Sequence, residues 1–413
     1  DVTRNQDGFV SPALWAVTAS ATPGRFLFQS LATRRYLGAD GLVADAAAAA
    51  RIAFYPTEGC APFPELGRDA TGQVQKTRFA DGTLFGFVDA HEHMMSHLAF
   101  GAGGVFHGAP FHALGVEHAL PSCERAHGTD GRQDMVGYFY GGAPFTPAKA
   151  AAVLLNGDIG EFYHHTAGYP AFTDWPNSWG TATHQTMYYR WLERAWLGGL
   201  RLMVQHATSN QVLCEMAQGI GTQQPRISCN EMVSADRIID ATRALERYID
   251  AHAGGPGRGW FRVVTTPADA RRVIGEGNLA VILGIETSNV FDCFVNPKPG
   301  FPRCDADLVR KKLDDYYARG VRAVFPVHKF DNAFSAGDGN RGFIEIGNVA
   351  SSGYYGNFTN QGCPDQPSVF DHGPVTFGGM NMPRAVYDGP PPIDVSALST
   401  SPISVRIHAV SLS

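Results

Sequence analysis

The sequence predicts an α/β fold in which a small all-β region precedes a parallel sheet covered by helices. Residues 1–82 contain short apolar alternations separated by Gly and Asp, which is typical of antiparallel strands joined by turns. From residue 84 onward, strands that are apolar throughout alternate with amphipathic helices. This pattern is typical of a parallel sheet that is buried on both faces.

The composition indicates a folded protein with a large core. Of the 413 residues, 44% are apolar and 17% are charged, and the formal net charge is −6. No dense run of Lys or Arg occurs, so we expect neither nucleic acid nor a membrane surface as a partner. No apolar stretch approaches the ~18 residues that a membrane helix needs. We therefore expect no membrane insertion.

The chain has seven cysteines in no zinc-binding spacing. Two pairs, Cys214 with Cys229 and Cys293 with Cys304, each bracket a loop-like segment, which favours disulfides in an exported protein. The alternative is a cytosolic enzyme with free buried thiols. An odd count leaves one cysteine over, and Cys363 has no obvious nearby partner.

The predicted disulfides favour a secreted or periplasmic protein. The sequence starts at Asp1 rather than Met, which is consistent with a mature chain whose signal peptide has been removed.

Residues 1–82 are predicted to form the small β domain. Apolar alternation at 25–29 and 35–38 is followed by the turn residues Gly38, Asp40 and Gly41. The segment FLFQSLATRRYLGADG resembles one hairpin of the β-trefoil or fascin-like modules, although only one clear copy is present.

Residues 83–385 are predicted to form the second domain, and residues 386–413 an irregular tail. The strands of the second domain are expected at 85–90, 200–204, 261–264, 279–285 and 321–327. Its helices are expected at 185–196, at 234–252 with Ser234 as the N-cap, at 267–277 and at 305–319.

Metal-competent side chains follow three of the predicted strands. His91 and His93 are two residues apart on an extended backbone, so both imidazoles point to the same side. Glu286 and His328 each come directly after a later strand. Because the carboxyl ends of parallel strands meet at one edge, these side chains predict a metal site.

The segment from Asp89 to His93 resembles the first motif of the amidohydrolase superfamily of metal-dependent hydrolases. The segments GNLAVILGIE, ending at Glu286, and VHKFDNA, containing His328, are closer to the membrane dipeptidase (renal dipeptidase) family. The resemblance covers about residues 84 to 335. It implies a TIM-barrel-like (β/α)-barrel in which two zinc ions assist the hydrolysis of an amide or peptide bond.

The resemblance also implies roles for individual residues. His91 and His93 would be metal ligands, and Glu286 would bridge the two ions. The catalytic candidates are His328 and Asp331, and the substrate-binding candidate beside them is Asn332.

Two further substrate-binding candidates come from loops. The long segment from His97 to Tyr169 is predicted to form a lid or rim over the strand ends, where loops carry specificity. Some of its histidines are candidate metal ligands, but most are expected to face solvent or to make hydrogen bonds within the loop. His97 begins this segment, and Trp175 is a candidate aromatic wall, although core packing is the commoner role of a Trp.

The sequence departs from the family pattern in ways that leave the function open. His93 stands where the dipeptidases have Asp, and only four or five of the eight strands of a barrel are recognisable. The chain is therefore either the front part of a longer protein with an incomplete barrel, or a divergent C-terminus supplies other ligands such as Asp371 or His372. The alternative function is a non-catalytic protein that binds carbohydrate or cell wall.

Overall fold

The computed structural model describes residues 15–55, 72–74, 76–140, 187–219, 226–335, 337 and 343–352, together with residues 148, 151, 155, 164 and 184. This part of the chain is mixed α/β, with one antiparallel and one parallel sheet. The predicted domain boundaries at 82 and 385 stay predictions. The tail 386–413 lies outside the described residues.

The antiparallel sheet has four strands in sequential order. They are β1 (Trp15–Ala19), β2 (Phe26–Ser30), β3 (Tyr36–Leu37) and β4 (Leu42–Val43). The turn between β3 and β4 is closed by Gly38 N–H, which donates to Gly41 O at 2.7 Å. Gly41 has φ 142°, a conformation that favours glycine. The strands and the turn predicted for this segment are confirmed.

The parallel sheet has five strands. They are β5 (Phe87–Glu92), β6 (Leu200–Ser209), β7 (Phe261–Val263), β8 (Leu279–Thr287) and β9 (Val321–Phe325). β6 lies between β5 and β8. β7 pairs with residues 279–281 of β8, and β9 pairs with residues 283–286. Since β6 occupies one edge of β8, β7 and β9 share the other edge.

Nine α-helices have both ends within the described residues. They are α1 (Val116–Ala119), α2 (Glu124–His127), α3 (Met135–Tyr140), α4 (Tyr189–Leu197), α5 (Gln211–Gly219), α6 (Glu231–His252), α7 (Pro267–Gly275), α8 (Ala306–Ala318) and α9 (Phe343–Ser352). Short 3-10 turns occur at Ala46–Ala48, Ser96–Leu98, Phe100–Ala102, Thr129–Gly131 and Val290–Asp292.

Helix α6 begins three residues earlier than the sequence indicated. Asn230, not Ser234, is the N-cap, and its side chain accepts a hydrogen bond from Val233 N–H at 3.0 Å. Asn caps a helix as well as Ser does. Ser234 instead lies fully buried inside the helix.

The core lies between α6 and the parallel sheet. Ile238, Ile239 and Leu245 of α6 belong to one buried cluster with Leu283 and Ile285 of β8. A second, smaller cluster joins Val273 and Ile274 of α7 to Ala280 of β8. Strand β8 is therefore covered as the sequence predicted.

The outer strands are more exposed than predicted. Phe87 and Val88 of β5 are 52% and 54% exposed, and Val324 and Phe325 of β9 are 37% and 42% exposed. The reason is that α6 packs mainly on β6 and, to a smaller extent, on β7 and β8. A closed barrel stays a prediction.

Both predicted disulfides are present. Cys214 is bonded to Cys229 and Cys293 to Cys304. Among the described residues Cys123 is a free, buried thiol, whereas Cys60 and Cys363 lie outside them. None of the described helices is long and apolar enough to cross a membrane.

Candidate metal centre

The predicted ligands meet at the carboxyl ends of the parallel strands. His91 is near the end of β5, and His93 follows that strand directly. Glu286 is near the end of β8, opposite Thr208 of β6 and Phe325 of β9. His328 lies just beyond β9. The strand order therefore brings together residues that are far apart in the chain.

Three ligand atoms form a compact triangle. Nε2 of His91 lies 3.1 Å from Nε2 of His93 and 2.6 Å from Oε2 of Glu286. Nε2 of His93 lies 3.2 Å from the same oxygen. Ligand atoms at 2.0–2.1 Å from a tetrahedral ion stand about 3.3 Å apart. The triangle has the size that one bound transition-metal ion needs.

The backbone of β6 orients His93 for metal binding. Nδ1–H of His93 donates to the carbonyl oxygen of His206 at 3.3 Å, and the amide of Gln205 donates to the same oxygen at 3.2 Å. A neutral imidazole that donates through Nδ1 has its lone pair on Nε2. This is the usual way in which a second hydrogen bond fixes the tautomer of a metal ligand. Nε2 of His93 points to Oε2 of Glu286, and it would become a ligand when a metal ion replaces its proton.

The carboxylate at the centre is buried and ionised. Glu286 is only 2% exposed. Burial alone would raise its pKa, but the hydrogen bond from His93 and the positive charge of His328 lower the pKa to about 2. In return, Glu286 raises the pKa of His93 against the effect of burial. A buried carboxylate of this kind needs a cationic partner, which a metal ion or a protonated histidine can supply.

His328 is on the opposite side of this carboxylate. Its Nε2 lies 3.2 Å from Oε1 of Glu286, whereas Oε2 faces His91 and His93. The two oxygens of Glu286 thus face two different sets of imidazoles.

Asp331 and Asn332 make hydrogen bonds within the loop after β9 and to two neighbouring segments, at Ser288 and at Asn348 of α9. Asp331 accepts hydrogen bonds from Gly337 N–H at 2.6 Å and from the Asn348 amide at 3.1 Å. Asn332 donates to the carbonyl oxygens of Ser288 and Pro326. Its own side-chain oxygen accepts from the N–H groups of residues 334 and 335. These bonds fix the segment that carries His328. The catalytic role predicted for Asp331 and the substrate-binding role predicted for Asn332 stay predictions.

The remaining substrate-binding candidates are His97 and Trp175. No observed contact joins His97 to the strand-end centre. His97 lies in the turn Ser96–Leu98, where burial, helped by the charge of His107, lowers its pKa to about 3. Trp175 lies outside the described residues.

His206 is a residue of this site that the sequence prediction missed. The predicted strand ended at residue 204, but β6 continues to Ser209. The His206 ring is 4.9 Å from that of His91, centroid to centroid. It packs on Gly284, where a Cβ atom would lie 2.5 Å from Nδ1 of His206. Burial lowers the pKa of His206 to about 4, so the ring is neutral at physiological pH. The available signal for a longer strand was that the strand-forming pattern continues after residue 204.

A second group of metal-competent side chains was also missed. Cys123, His127, His164 and His184 each offer one ligand atom, and these atoms lie within 4.8 Å of one another. We call them the Cys–His cluster. Burial would raise the pKa of Cys123, but the neighbouring imidazoles outweigh it and lower the pKa to about 4. The Cys-x3-His spacing was the only local signal.

Comparison with protein-family models and with curated proteins finds no match to this chain. The function is therefore inferred from the residues and their geometry.

Proposed function

We propose that the chain is a metal-dependent hydrolase that cleaves an amide or peptide bond of a small substrate through a metal-activated water. The observation that supports this most strongly is the position of Glu286. One of its oxygens faces His91 and His93, and the other faces His328. A carboxylate shared in this way is suited to bridge two divalent ions. The resemblance to the amidohydrolase superfamily, nearest the membrane dipeptidase family, points to the same chemistry.

In this proposal the chain supplies the first ion with Nε2 of His91, Nε2 of His93 and Oε2 of Glu286. Oε1 of Glu286 would be the ligand of a second ion on the side of His328. Zinc is the proposed metal because imidazole and carboxylate ligands suit it, as they also suit manganese and iron. The bound ions would polarise the scissile carbonyl and lower the pKa of a water molecule towards neutrality.

The other residues would position the substrate and hold protons. His328 would donate a hydrogen bond to the substrate oxygen on which charge develops. Asp331 is the proposed partner in proton transfer, next to His328 on the loop after β9. His206, neutral and packed on Gly284, would keep the His91 ring in place.

The proposal includes two structural expectations. The five parallel strands would belong to a TIM-barrel-like fold, whose active sites lie at the carboxyl ends of the strands. The two disulfides support a secreted or periplasmic location, because disulfides persist in oxidising compartments.

The test is metal content and hydrolysis measured on matched variants. Wild-type protein, purified without a chelator or a polyhistidine tag, is analysed by elemental mass spectrometry and assayed on dipeptides and N-acyl amino acids. Glu286→Gln should lose the ions of this centre and at least about 99% of the activity, because it removes a shared ligand. Glu276→Gln, at an exposed carboxylate that pairs with Arg272 on α7, is the control and should change neither quantity.

Two results would overturn the proposal. One is a wild-type protein that carries no metal at this centre and hydrolyses none of the substrates. The other is unchanged metal content in Glu286→Gln. Either result would move the search to the non-catalytic alternative, the binding of carbohydrate or cell wall.

A further inference from the structure

The Cys–His cluster is built on one short helical turn. Cys123 is the N-cap of α2 (Glu124–His127), and His127 is the last residue of that helix. The N–H of His127 donates to the carbonyl oxygen of Cys123 at 2.8 Å. Residues four apart on a helix lie on the same face. The sulfur and the imidazole therefore point in one direction, as the first two ligands of a metal site must.

Two histidines from later in the sequence complete the cluster. Nδ1 of His164 lies 3.9 Å from Sγ of Cys123, 41 residues away in the chain. The N–H of His164 donates to Asp130 O at 2.9 Å, which holds it next to the turn after α2. His184 forms a parallel β-bridge with His107, and its ring lies 4.8 Å from that of His127.

The interior of the cluster has the properties of a cation site. His127 is fully buried, and its Nε2–H donates to Gly104 O at 2.9 Å. That bond places the lone pair on Nδ1, which is buried without a hydrogen-bond partner among the described residues. A buried lone pair without a donor is costly, and a bound cation would satisfy it.

A carboxylate at the border of the cluster supplies the charge balance. Oδ2 of Asp134 lies 3.6 Å from Nδ1 of His127 and 3.4 Å from Nε2 of His164. Asp134 is 2% exposed. One thiolate and one carboxylate together neutralise a divalent ion among neutral imidazoles. Neutrality matters here because an uncompensated charge in a buried site is strongly destabilising.

We propose that Cys123, His127, His164 and His184 bind one zinc ion as a structural site separate from the centre at the strand ends. Four protein ligands close a tetrahedral site and leave no position for substrate. The Cys123 thiol releases its proton when the ion binds. The ion ties α2 to His164 and His184, and it protects a free thiol in a protein that otherwise contains disulfides. Cys123 is only 2% exposed, which favours a ligand over a nucleophile.

Cobalt substitution tests this proposal independently of the hydrolase function. Within the proposed sites only the Cys–His cluster offers a thiolate, so Co²⁺ bound there gives a sulfur-to-cobalt charge-transfer band. His91→Ala, which removes a ligand of the strand-end centre, should show the band with about one cobalt per chain. Wild type should show the same band, together with any further cobalt held by the strand-end centre. Cys123→Ser should lose the band, and His118→Ala, at an exposed histidine of the same segment, should keep it.

X-ray absorption on the zinc-loaded wild type gives a second readout that needs no variant. A sulfur scatterer should appear at about 2.3 Å from zinc. The proposal fails if wild type shows neither the charge-transfer band nor this scatterer. It also fails if Cys123 in the native protein reacts with iodoacetamide at the same rate with and without metal, which would identify a reactive thiol instead.

Discussion

Nε2 of His91 lies 2.6 Å from Oε2 of Glu286, although the two residues are 195 positions apart. The contact exists because β5 and β8 both pair with β6 in parallel, so that their carboxyl ends come to the same edge of the sheet. His93 joins them because side chains alternate along an extended backbone. The site is thus a direct consequence of strand order and direction.

His91→Ala should abolish metal binding at the strand-end centre. Changes to groups that merely orient a ligand already cost about 10–100-fold in metal affinity, so loss of a ligand should cost more. Metal affinity measured by competition with a chromogenic chelator checks this. The antiparallel sheet β1–β4 should stay folded, and an unchanged affinity would refute the ligand assignment. His118→Ala is the control.

Gly284→Ala should weaken the same centre without touching a ligand. A Cβ at this position would lie 2.5 Å from Nδ1 of His206, so this ring, which neighbours that of His91, must move. Overpacking of this kind typically costs about 1–3 kcal/mol of stability. Denaturant unfolding and metal titration measure the two effects. Gly219→Ala is the matched control, because no atom of the described residues lies within 4 Å of the place where its Cβ would stand. It should leave metal affinity unchanged and should not lower the stability, since Ala in a helix is at least as favourable as Gly.

His112 should make the folded state less stable in acid. Burial, helped by the charge of His118, lowers its pKa to about 4, and its Nδ1 accepts a hydrogen bond from Leu114 N–H at 3.0 Å. Protonation therefore favours the unfolded chain. The contribution of neutral His112 to the free energy of unfolding is fully present above the ordinary histidine pKa of about 6.5. It is lost as the pH falls from there to about 4.

The full effect of His112 is at most about 3 kcal/mol. His112→Asn keeps an acceptor for Leu114 N–H and removes the titration. Urea unfolding of both proteins at several pH values should show that the free energy of unfolding falls less steeply with decreasing pH in the variant. Equal slopes in the two proteins would mean that the titration of His112 is not coupled to folding.

Asn332→Ala should destabilise the protein more than it weakens substrate binding. The side chain of Asn332 donates to Ser288 O and Pro326 O and accepts from two backbone N–H groups. Each buried group left without a partner costs about 1–3 kcal/mol, so a loss of roughly 3 kcal/mol is expected. Thermal or urea unfolding measures it. A normal stability with a raised KM would instead support the direct substrate-binding role.

Local patterns predicted the secondary structure well. Helix α7 begins at Pro267 as expected, with the Thr266 side chain accepting from Asp269 N–H. Helix α8 is capped by Asp305, at the position where the predicted helix begins. The error at Ser234 arose because Asn230 offers an equally good cap one turn earlier. Caps and apolar periodicity act within a few residues, so they can be recognised without the fold.

The sequence by itself determined the alternation of strands and helices, the two disulfides and the positions of His91, His93 and Glu286 at strand ends. Only the tertiary structure decided that His206 packs between Gly284 and His91 and that Cys123 meets three histidines. It also decided that Asp331 and Asn332 make structural hydrogen bonds, to Asn348 and to Ser288. The physical reason is the separation along the sequence over which each kind of interaction acts. Side-chain periodicity and loop closure are local properties, whereas contacts between distant residues depend on strand register and on the paths of long loops.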